Sequence, residues 1–380
     1  MNKKKIIILY STGGMGHKKA AEAILEYFKQ QNNPSLEIKT IDSIDFGGAF
    51  YKFTYGTLYI FLMTKAKLLW GFLYHLTNTK LFGAPLTKLA RIIERIKLKK
   101  LIETLIKENP DIIISTHFIL PSIAAALKSK KDFHAKLYTV ITDYGPHRFW
   151  LSDYIDKYFI GYSVMARDMA RYGVSENKLI VSGIPVMPNF YQDLDRIALK
   201  KKYNLTADEK TIFILSGGFG VGPIEKILKN LCRLKINFNV IVVAGHNEQL
   251  YKRLLNLSAT LSYTIKIFGF TDKISELMGV SDLMITKAGG ISISEAIARE
   301  LPMILCASIP GQETWNENML INRGAGKKSN KAENIAHIIN QIFSSTEYDS
   351  LKNNIKKIAQ NNAGKIIVEY IEKNLQDNII

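Results

Sequence analysis

Two groups of residues in the second half of the chain are suited to bind a sugar linked to a diphosphate. Gly289 and Gly290 follow the apolar run 282–285 and precede a helical pattern. Their backbone N–H groups can therefore approach a diphosphate at the positive end of that helix. Glu295 lies further into the helix, where its carboxylate can accept hydrogen bonds from two neighbouring ribose hydroxyls. This order of residue types indicates a site for a nucleotide-sugar donor.

Polar side chains flank this glycine turn and follow the next short strand. Gln312 and Glu313, in the segment PGQE, can hold sugar hydroxyls, and Asn316 follows closely. Ser292 lies in the first turn of the helix and is assigned to the same site. Lys287 can add a cation beside the diphosphate, although a lysine at a strand end is more often a solvent-facing charge. Glycines before a helix also serve simple packing, so the prediction depends on the whole order strand, KAGG, helix, strand, PGQE, helix.

Further glycine turns and histidines occur along the chain in a definite order. The run 5–10 is followed by STGGMGHKKAAEAI, where Gly14 and Gly16 belong to a tight turn into a helix that begins near His17. A second glycine-rich turn, SGGFGVGP at 216–223, contains Gly217, Gly218 and Gly222. The other segments are TKAKLLWGFLYHLTN (64–78), PDIIISTHF (110–118), TDYGPHRFW (142–150) and SGIPV (182–186).

These motifs together resemble the monogalactosyldiacylglycerol synthase and processive diacylglycerol glucosyltransferase family, which is itself similar to the peptidoglycan lipid II synthase. The similarity covers nearly the whole chain. It implies an α/β protein with the GT-B fold, two Rossmann-like doubly wound domains facing across a cleft. It also implies inverting transfer of a hexose from UDP-glucose or UDP-galactose to diacylglycerol, at the cytoplasmic face of the membrane. A polyprenyl-diphosphate acceptor and a non-catalytic sugar-nucleotide-binding membrane protein remain alternatives.

Alternating strand-like and helical runs support two such domains. Strands are predicted at 5–10, 36–41, 111–115, 136–141 and 157–161, and again at 211–215, 238–244, 264–268, 282–286 and 303–306. Parallel strands need crossover helices, so the pattern predicts two parallel sheets. We predict an acceptor- and membrane-binding domain at 1–190 and a donor domain at 191–360. The resemblance implies that a terminal helix at 361–380 crosses back to the first domain.

The implied inverting reaction needs a general base, for which two residues are candidates. His17 is the first, because an imidazole titrates near neutral pH and a helix start favours its neutral form. Asp143, in TDYGPH, is the rival. A histidine in a glycine turn also serves structural or phosphate-binding roles, so His17 could instead orient the acceptor. His147 and His117 are further candidates for the acceptor cleft.

The resemblance also extends to the base and the diphosphate of the donor. The turn GFTDK resembles the family turn that contacts uracil, which assigns Phe270 and Thr271 to the donor site. His246 is a candidate helix cap or donor-rim contact. The D-x-D sequence at 193–195 lies in a predicted linker before a Lys-rich helix, where capping explains it better than metal binding. We therefore expect no metal and no cofactor, with glycine amides and helix N-termini stabilising the departing UDP.

The charge distribution indicates an anionic partner. The formal net charge is +17, and between residues 47 and 100 the single acidic residue is Glu94. Lysines there, including Lys65 and Lys67, alternate with aromatics such as Trp70 and Tyr74, a composition typical of segments that bind anionic phospholipid surfaces. The many aliphatic residues argue against a nucleic-acid groove. Buried core helices with lysines reaching outward are the structural alternative.

Three further features bound the class of protein. The longest apolar run in this segment, 53–64, is shorter than the roughly twenty residues that a membrane-spanning helix needs. The two cysteines, Cys232 and Cys306, are predicted to be small core residues in a reducing compartment. No secretory signal is predicted, because the apolar run after the first lysines ends at Tyr10.

Overall fold

A computed structural model describes residues 3–48, 51, 54, 58, 61–62, 66–215, 217–218, 220, 222–359 and 362–376. The chain divides into two compact units. The first comprises Met1–Pro188, Pro310–Gln312 and Asn361–Ile380, and the second comprises Asn189–Ile309 and Glu313–Gln360.

The first unit is built on a six-stranded parallel sheet in the order β2-β1-β3-β4-β5-β6. Its strands are β1 (Lys4–Tyr10), β2 (Leu36–Asp42), β3 (Ile112–Ser115), β4 (Lys136–Val140), β5 (Lys157–Ile160) and β6 (Leu179–Val181). Its helices are α1 (Met15–Gln31), α2 (Lys67–Asn78), α3 (Lys80–Lys97), α4 (Lys99–Glu108), α5 (Ile119–Lys128), α6 (Ser163–Arg171) and the terminal α15 (Ala363–Gln376).

Both faces of the first sheet are buried, which explains the continuous apolar runs in its central strands. Ile7 and Leu9 of β1 belong to one core cluster, whereas Ile6 and Ile8 belong to another. The terminal helix α15 packs against α1 in the second cluster, through residues such as Ile367. This is the helix that the family resemblance implies at the end of the chain.

Helices α2 and α3 present a broad apolar surface to solvent. Helix α2 contains no buried residue at all, and Leu68 is 84% exposed. The exposed aliphatic and aromatic residues of the two helices are Leu68, Leu69, Phe72, Leu73, Leu81, Phe82, Leu86, Leu89, Ile92, Ile93 and Ile96. The alternative that this segment forms core helices with lysines reaching outward is therefore wrong for α2 and α3, whereas Tyr51 and Leu98 at either end of the segment are buried in the core. Packing inside the first unit leaves this surface uncovered.

The second unit is built on another six-stranded parallel sheet, in the order β12-β11-β10-β7-β8-β9. Its strands are β7 (Lys210–Leu215), β8 (Phe238–Val243), β9 (Thr264–Phe268), β10 (Leu283–Thr286), β11 (Met303–Cys306) and β12 (Gly326–Ser329). Its helices are α7 (Arg196–Lys202), α8 (Ile224–Leu231), α9 (Glu248–Ser258), α10 (Ile274–Gly279), α11 (Gly290–Ala298), α12 (Gln312–Asn322), α13 (Ile335–Ser344) and α14 (Glu347–Ile358). Helix α12 begins in the segment that groups with the first unit.

Each sheet has a point where the strand order reverses direction. In the first sheet β1 lies between β2 and β3, and in the second β7 lies between β10 and β8. Ligands of doubly wound folds bind beyond the carboxyl ends of the strands at such a point. The turn that contains His17 follows β1, and the turn that contains Gly217 follows β7. The topology thus places one predicted motif at the switch point of each sheet.

Two strands and one cysteine differ from the expectation drawn from the sequence. Every predicted strand is present with bounds within one residue, but the sequence pattern does not predict β6 and β12. Both are edge strands, and β12 has the sequence GKKS, which carries no apolar alternation. The prediction that Cys232 is a core residue is wrong, because it is exposed after the end of α8, whereas Cys306 is buried in β11.

Local contacts explain two unusual sequences. Asp195, from the D-x-D sequence, caps α7 by accepting a hydrogen bond from the Ala198 N–H at 2.9 Å, which confirms the capping interpretation. Glu300 has a φ of +50°, a left-handed conformation that glycine usually supplies after a helix. Bonds from the Glu300 N–H to Ile297 and from the Leu301 N–H to Ala296 close α11 all the same. The helix end is therefore intact without a glycine.

Candidate active site

His17 contacts the loops that follow two other strands of the first sheet. Its Nδ1 lies 2.8 Å from the Thr116 carbonyl oxygen beyond β3 and 3.0 Å from Thr142 Oγ1 beyond β4. A carbonyl can only accept a hydrogen bond, so Nδ1 carries the proton. In the neutral ring Nε2 is then unprotonated, and this nitrogen faces the glycine turn at Gly14. The geometry leaves His17 with a lone pair available to accept a proton.

Burial keeps this imidazole neutral. Desolvation lowers the pKa of His17 to about 4, and the hydrogen bond to the Thr116 carbonyl opposes that fall. Its ring lies edge-on to His117, with 4.5 Å between the ring centroids, and 6.0 Å from Trp150. The hydrogen bond to the Thr116 carbonyl also fixes the orientation and the tautomer of the ring.

Asp143, the rival base, is buried and already accepts hydrogen bonds. It is 5% exposed, and Gln312 Nε2 lies 3.0 Å from both of its carboxylate oxygens. Gln312 belongs to the segment Pro310–Gln312, which groups with the first unit. Gly311 in this segment packs tightly on Tyr74, because an added Cβ would come within 2.9 Å of the tyrosine ring. The predicted sugar-binding glutamine therefore positions Asp143 in this structure.

The other two candidate histidines use ring nitrogens to hold backbone. His147 Nδ1 accepts from the Phe149 N–H at 3.2 Å, and its Nε2 donates to the Tyr74 carbonyl at 3.1 Å. Burial lowers the pKa of His147 to about 4. His117 Nδ1 accepts from the Ile119 N–H at 3.3 Å, at the start of α5. His147 thus ties the loop after β4 to α2, a structural role that its motif does not reveal.

A largely apolar cavity, which we call the acceptor cavity, opens beside His17. Its volume is about 340 Å³, within the range of small-molecule sites. Helix α2 contributes Trp70, Leu73 and Tyr74 to its lining, and α3 contributes Thr87, Ala90, Arg91 and Glu94. The rest of the lining comes from loops and helix starts near the strand ends and includes Gly14, His17, His117, Phe118, Asp143, His147, Phe149, Trp150 and Gln312. A hydroxyl-bearing apolar molecule suits this lining.

Of the residues assigned to the acceptor or membrane, most lie around this cavity. Trp70 and Tyr74 are in its wall, and Gly14 is in the turn that borders it. Gly16 lies in the first turn of α1, and Lys67 is the first residue of α2. Lys65 lies outside the described residues.

Two glycine turns and a lysine meet at the switch point of the second sheet. A Cβ added to Gly217 would lie 3.9 Å from Lys287 Nζ, and one added to Gly289 would lie 3.5 Å from it. The amine therefore lies close to both turns. Gly217 has a φ of +68°, which a side chain rarely adopts. This arrangement presents backbone amides and one cation together, as a diphosphate requires.

Glu313 holds that lysine in place. Lys287 Nζ donates to Glu313 Oε1, and the second carboxylate oxygen accepts from the Ile309 N–H at 2.8 Å. Glu313 is only 3% exposed, so this is a buried ion pair. The expectation that Glu313 binds sugar hydroxyls directly stays a prediction. In the structure its carboxylate serves Lys287 and the loop before α12.

Helix α11 carries three of the residues assigned to the sugar-nucleotide donor. Gly290 and Ser292 lie in its first turn, where N–H groups have no intrahelical acceptor. Glu295 is 4% exposed, one turn further on. Asn316, in α12, is fully buried and donates a hydrogen bond to the Ala288 carbonyl at 2.9 Å. It thereby stabilises the backbone next to the turn of Gly289 and Gly290.

Phe270 is exposed and stacks on His246. Their ring centroids are 4.1 Å apart and the ring planes differ by 18°. The His246 N–H donates to the Gly218 carbonyl at 2.9 Å, which joins this pair to the first glycine turn. Thr271 Oγ1 accepts a hydrogen bond from the Lys273 N–H. Gly222 lies at the end of the glycine-rich turn that contains Gly218. A flat aromatic surface thus lies beside the candidate diphosphate site.

The sequence does not reveal the partners of the candidate residues. Thr116 acts through a backbone carbonyl, which no side-chain pattern signals. Thr142 directly precedes Asp143 in the motif TDYGPH, so its hydroxyl is the one partner that the sequence could have indicated. Arg91 and Glu94 have the character of surface charges, but they line the acceptor cavity because α3 turns that face inward.

The two sheets, with candidate residues at both switch points, define the GT-B class of glycosyltransferase folds. Solved structures of this kind are similar over the whole chain. One is MurG from Acinetobacter baumannii, with a TM-score of 0.59 and 16% identity, covering 98% of this chain and 99% of that one. Another is Alr3699/HepE from Anabaena in complex with UDP-glucose, with a TM-score of 0.57 and 18% identity, covering 98% and 99%. At these identities the likeness shows the fold alone.

Sequence relatives identify the family. Residues 17–186 match the monogalactosyldiacylglycerol (MGDG) synthase family, and residues 211–370 match the glycosyltransferase family 28 C-terminal domain. A processive diacylglycerol beta-glucosyltransferase from Bacillus cytotoxicus is 31% identical over 84% of this chain and 81% of its own length. One from Bacillus pumilus is 29% identical over 97% and 94%. The chain therefore belongs to the monogalactosyldiacylglycerol synthase and processive diacylglycerol glucosyltransferase family, within glycosyltransferase family 28, as its motifs predicted.

Proposed function

We propose that the protein transfers glucose from UDP-glucose to diacylglycerol and inverts the anomeric configuration. The observation that carries the proposal is the position of His17 beside a largely apolar cavity, with Nδ1 held by the Thr116 carbonyl so that Nε2 is left to accept a proton. The relatives named above are diacylglycerol beta-glucosyltransferases, which supports glucose as the sugar and diacylglycerol as the acceptor.

On the acceptor side, the diacylglycerol hydroxyl enters the acceptor cavity and His17 removes its proton. The oxygen forms a bond to the anomeric carbon as the bond from that carbon to UDP breaks. The proton passes to His17 Nε2, and the charge that forms on the ring is stabilised by the Thr116 carbonyl on the opposite nitrogen. Asp143, held by Gln312, lines the same cavity.

On the donor side, amides and Lys287 stabilise the departing diphosphate. The first turn of α11 offers backbone N–H groups, and Lys287 adds an ammonium group that Glu313 orients. Glu295 is assigned to the ribose and Phe270 to the uracil. Because this set already supplies positive charge and amide donors, we propose that the reaction needs no metal ion and no cofactor.

The exposed surface of α2 and α3 docks the protein on a membrane. Its apolar side chains, with Lys67 and Lys80 at the helix starts, combine aliphatic area with positive charge, which suits attachment to anionic phospholipid. We propose that this attachment is peripheral and lies at the cytoplasmic face, where UDP-sugars and membrane diacylglycerol meet. Among the described residues, no helix has both the length and the apolar character of a membrane span.

Product analysis tests this function. The purified protein is incubated with diacylglycerol vesicles and either UDP-glucose or UDP-galactose, and the lipids are examined by mass spectrometry. We expect hexosyl-diacylglycerol from UDP-glucose in preference to UDP-galactose. Preference for UDP-galactose would overturn the sugar assignment, and absence of any glycolipid would overturn the function.

A further inference from the structure

The ring of His117 carries its proton on Nε2, the nitrogen that is unprotonated in His17. His117 Nδ1 lies 3.3 Å from the Ile119 N–H, and a backbone N–H can only donate, so Nδ1 is the acceptor. Desolvation and the neighbouring His17 lower the pKa of His117 well below its usual value, so the ring is neutral and carries one proton. The two histidines therefore have opposite tautomers.

The loop before α5 fixes the orientation of the His117 ring. Ser115 Oγ donates to the His117 carbonyl at 2.7 Å and accepts from the His117 N–H at 3.2 Å. Ile119 is the first residue of α5, and the N–H groups of a helix start have no intrahelical acceptor. His117 Nδ1 supplies that acceptor, so the tautomer of His117 is set by the fold itself.

His117 and His17 lie side by side in the wall of the acceptor cavity. Their rings meet edge to face, with 4.5 Å between the centroids, and both rings line the cavity. The hydroxyls of Thr77 and Ser122, which also line it, donate to backbone carbonyls of the preceding helical turn. The two imidazoles thus offer a proton acceptor and an N–H donor next to each other.

Diacylglycerol carries a matching pair of polar groups. Its free hydroxyl is on a terminal carbon of glycerol, and an ester is on the adjacent carbon. We propose that His117 Nε2 donates a hydrogen bond to the carbonyl oxygen of this ester and thereby selects glycerol esters as acceptors. The bond holds the neighbouring hydroxyl against His17. This inference rests on the proposed function, because it takes diacylglycerol as the acceptor.

The hydrogen bond predicts discrimination against acceptors that lack the carbonyl. A dialkylglycerol ether has the same hydroxyl and the same hydrocarbon chains, but it has no carbonyl oxygen to accept from His117. The ring is only 3% exposed, and a buried polar group discriminates strongly between ligands that do and do not bond to it. One neutral hydrogen bond of this kind corresponds to roughly five- to tenfold in affinity.

Binding in the absence of a sugar donor tests the contact without any transfer step. The full-length protein is titrated with dioctanoylglycerol or with its dioctyl ether analogue. Trp70 and Trp150 line the cavity, so their fluorescence reports its occupancy. The wild type should bind the ester about five- to tenfold more tightly than the ether.

Two substitutions of His117 separate the roles of its nitrogens. The side-chain oxygen of asparagine can replace Nδ1 as acceptor, but asparagine has no N–H at the position of Nε2. His117→Asn should therefore bind both lipids with the affinity that the wild type has for the ether. The longer amide of His117→Gln reaches the position of Nε2 and should restore the preference for the ester. His134→Asn makes the same change at an exposed histidine between α5 and β4 and should match the wild type.

Equal affinity of the wild type for ester and ether would overturn the proposal, as would an ester preference that persists in His117→Asn. Melting temperatures identify a variant that fails to fold, and the wild-type comparison needs no variant. NMR spectroscopy of protein labelled with ¹⁵N-histidine measures the tautomer directly. An Nδ1–H tautomer of His117 would also overturn the proposal, because Nε2 could not then donate.

Transfer assays separate this inference from the proposed function. With UDP-glucose, His117→Asn should raise the KM for dioctanoylglycerol about five- to tenfold and leave the KM for the ether unchanged. Transfer to ester and ether with equal KM in the wild type would remove the role of His117 and leave the function intact. Ester-selective binding without any glycolipid product would remove the function and leave the contact of His117 intact.

Discussion

Replacing His17 should abolish most of the turnover without affecting UDP binding. His17→Asn is the informative variant, because its side-chain amide can still donate to the Thr116 carbonyl but offers no basic nitrogen in place of Nε2. We expect turnover to fall roughly 10²–10⁴-fold, the usual contribution of a general base. UDP affinity, measured by calorimetry, should stay at the wild-type value because His17 acts on the acceptor. Near-normal turnover in His17→Asn would refute its role as base.

The pH profile provides a second measure of the same claim. With a pKa of about 4, His17 remains almost entirely neutral at pH 7, so kcat/KM should stay level as the pH falls through 6.5 and should decline only near pH 4. Because the folded pKa lies below the unfolded value, His17 stabilises the fold above pH 6.5, and this contribution is lost as the pH falls toward 4. Unfolding curves at each pH therefore define where rates are interpretable. A decline centred at pH 6.5 in folded protein would contradict the assignment.

Four further variants test the donor site and the membrane surface. Glu295→Ala should weaken UDP binding by about 1.5–3 kcal/mol in calorimetry, and unchanged affinity would remove Glu295 from the site. Lys287→Met should weaken the binding of UDP but not that of uridine, since uridine has no diphosphate. Glu313→Gln should have the same effect to a smaller extent. Equal effects on the affinities of both ligands would contradict contact between Lys287 and the diphosphate. The double variant Leu68→Ser with Phe72→Ser should bind vesicles more weakly in a sedimentation assay. The binding free energy should fall by at most about 1.5–3 kcal/mol for each side chain that lipid fully buries, while activity on a short-chain soluble acceptor stays constant. Parallel losses on both acceptors would indicate a structural role.

The fold could be predicted from the sequence wherever apolar runs alternate with glycine turns. Central strands such as β1 and β8 are buried on both faces, so each contains an unbroken apolar run, IIIL in β1 and VIVV in β8. Edge strands need less burial and are stabilised mainly by backbone pairing. β12 pairs with β11 through Gly326 to Ser329 although its own sequence is polar, which is why the pattern does not predict it.

The candidate site could be predicted only in its separate motifs. His17, Lys287 and Glu295 stand out because each accompanies a glycine turn or follows a strand. The contacts that decide their chemistry join distant parts of the chain: His17 meets the Thr116 carbonyl, and Lys287 pairs with Glu313. No local pattern encodes such pairings, since they follow from the strand order.

Helices α2 and α3 illustrate the same limit. Their composition is compatible with a membrane surface and with a buried core, because aliphatic residues suit both. The exposure of Leu68 and its neighbours excludes the core interpretation for these helices. That exposure depends on how the helices pack and is not evident from their sequence. The inward face of α3, with Thr87 and Arg91, is equally hidden from the pattern.

The most direct test of the central claim is the structure of the product made without metal. Wild-type protein is incubated with UDP-glucose and diacylglycerol vesicles in excess chelator, and the purified glycolipid is examined by proton NMR spectroscopy, with released UDP quantified in parallel. We predict a β-linked glucosyl-diacylglycerol and one UDP released for each glucose transferred. An α-linked product, or a reaction that stops until magnesium or manganese is restored, would contradict the proposed mechanism.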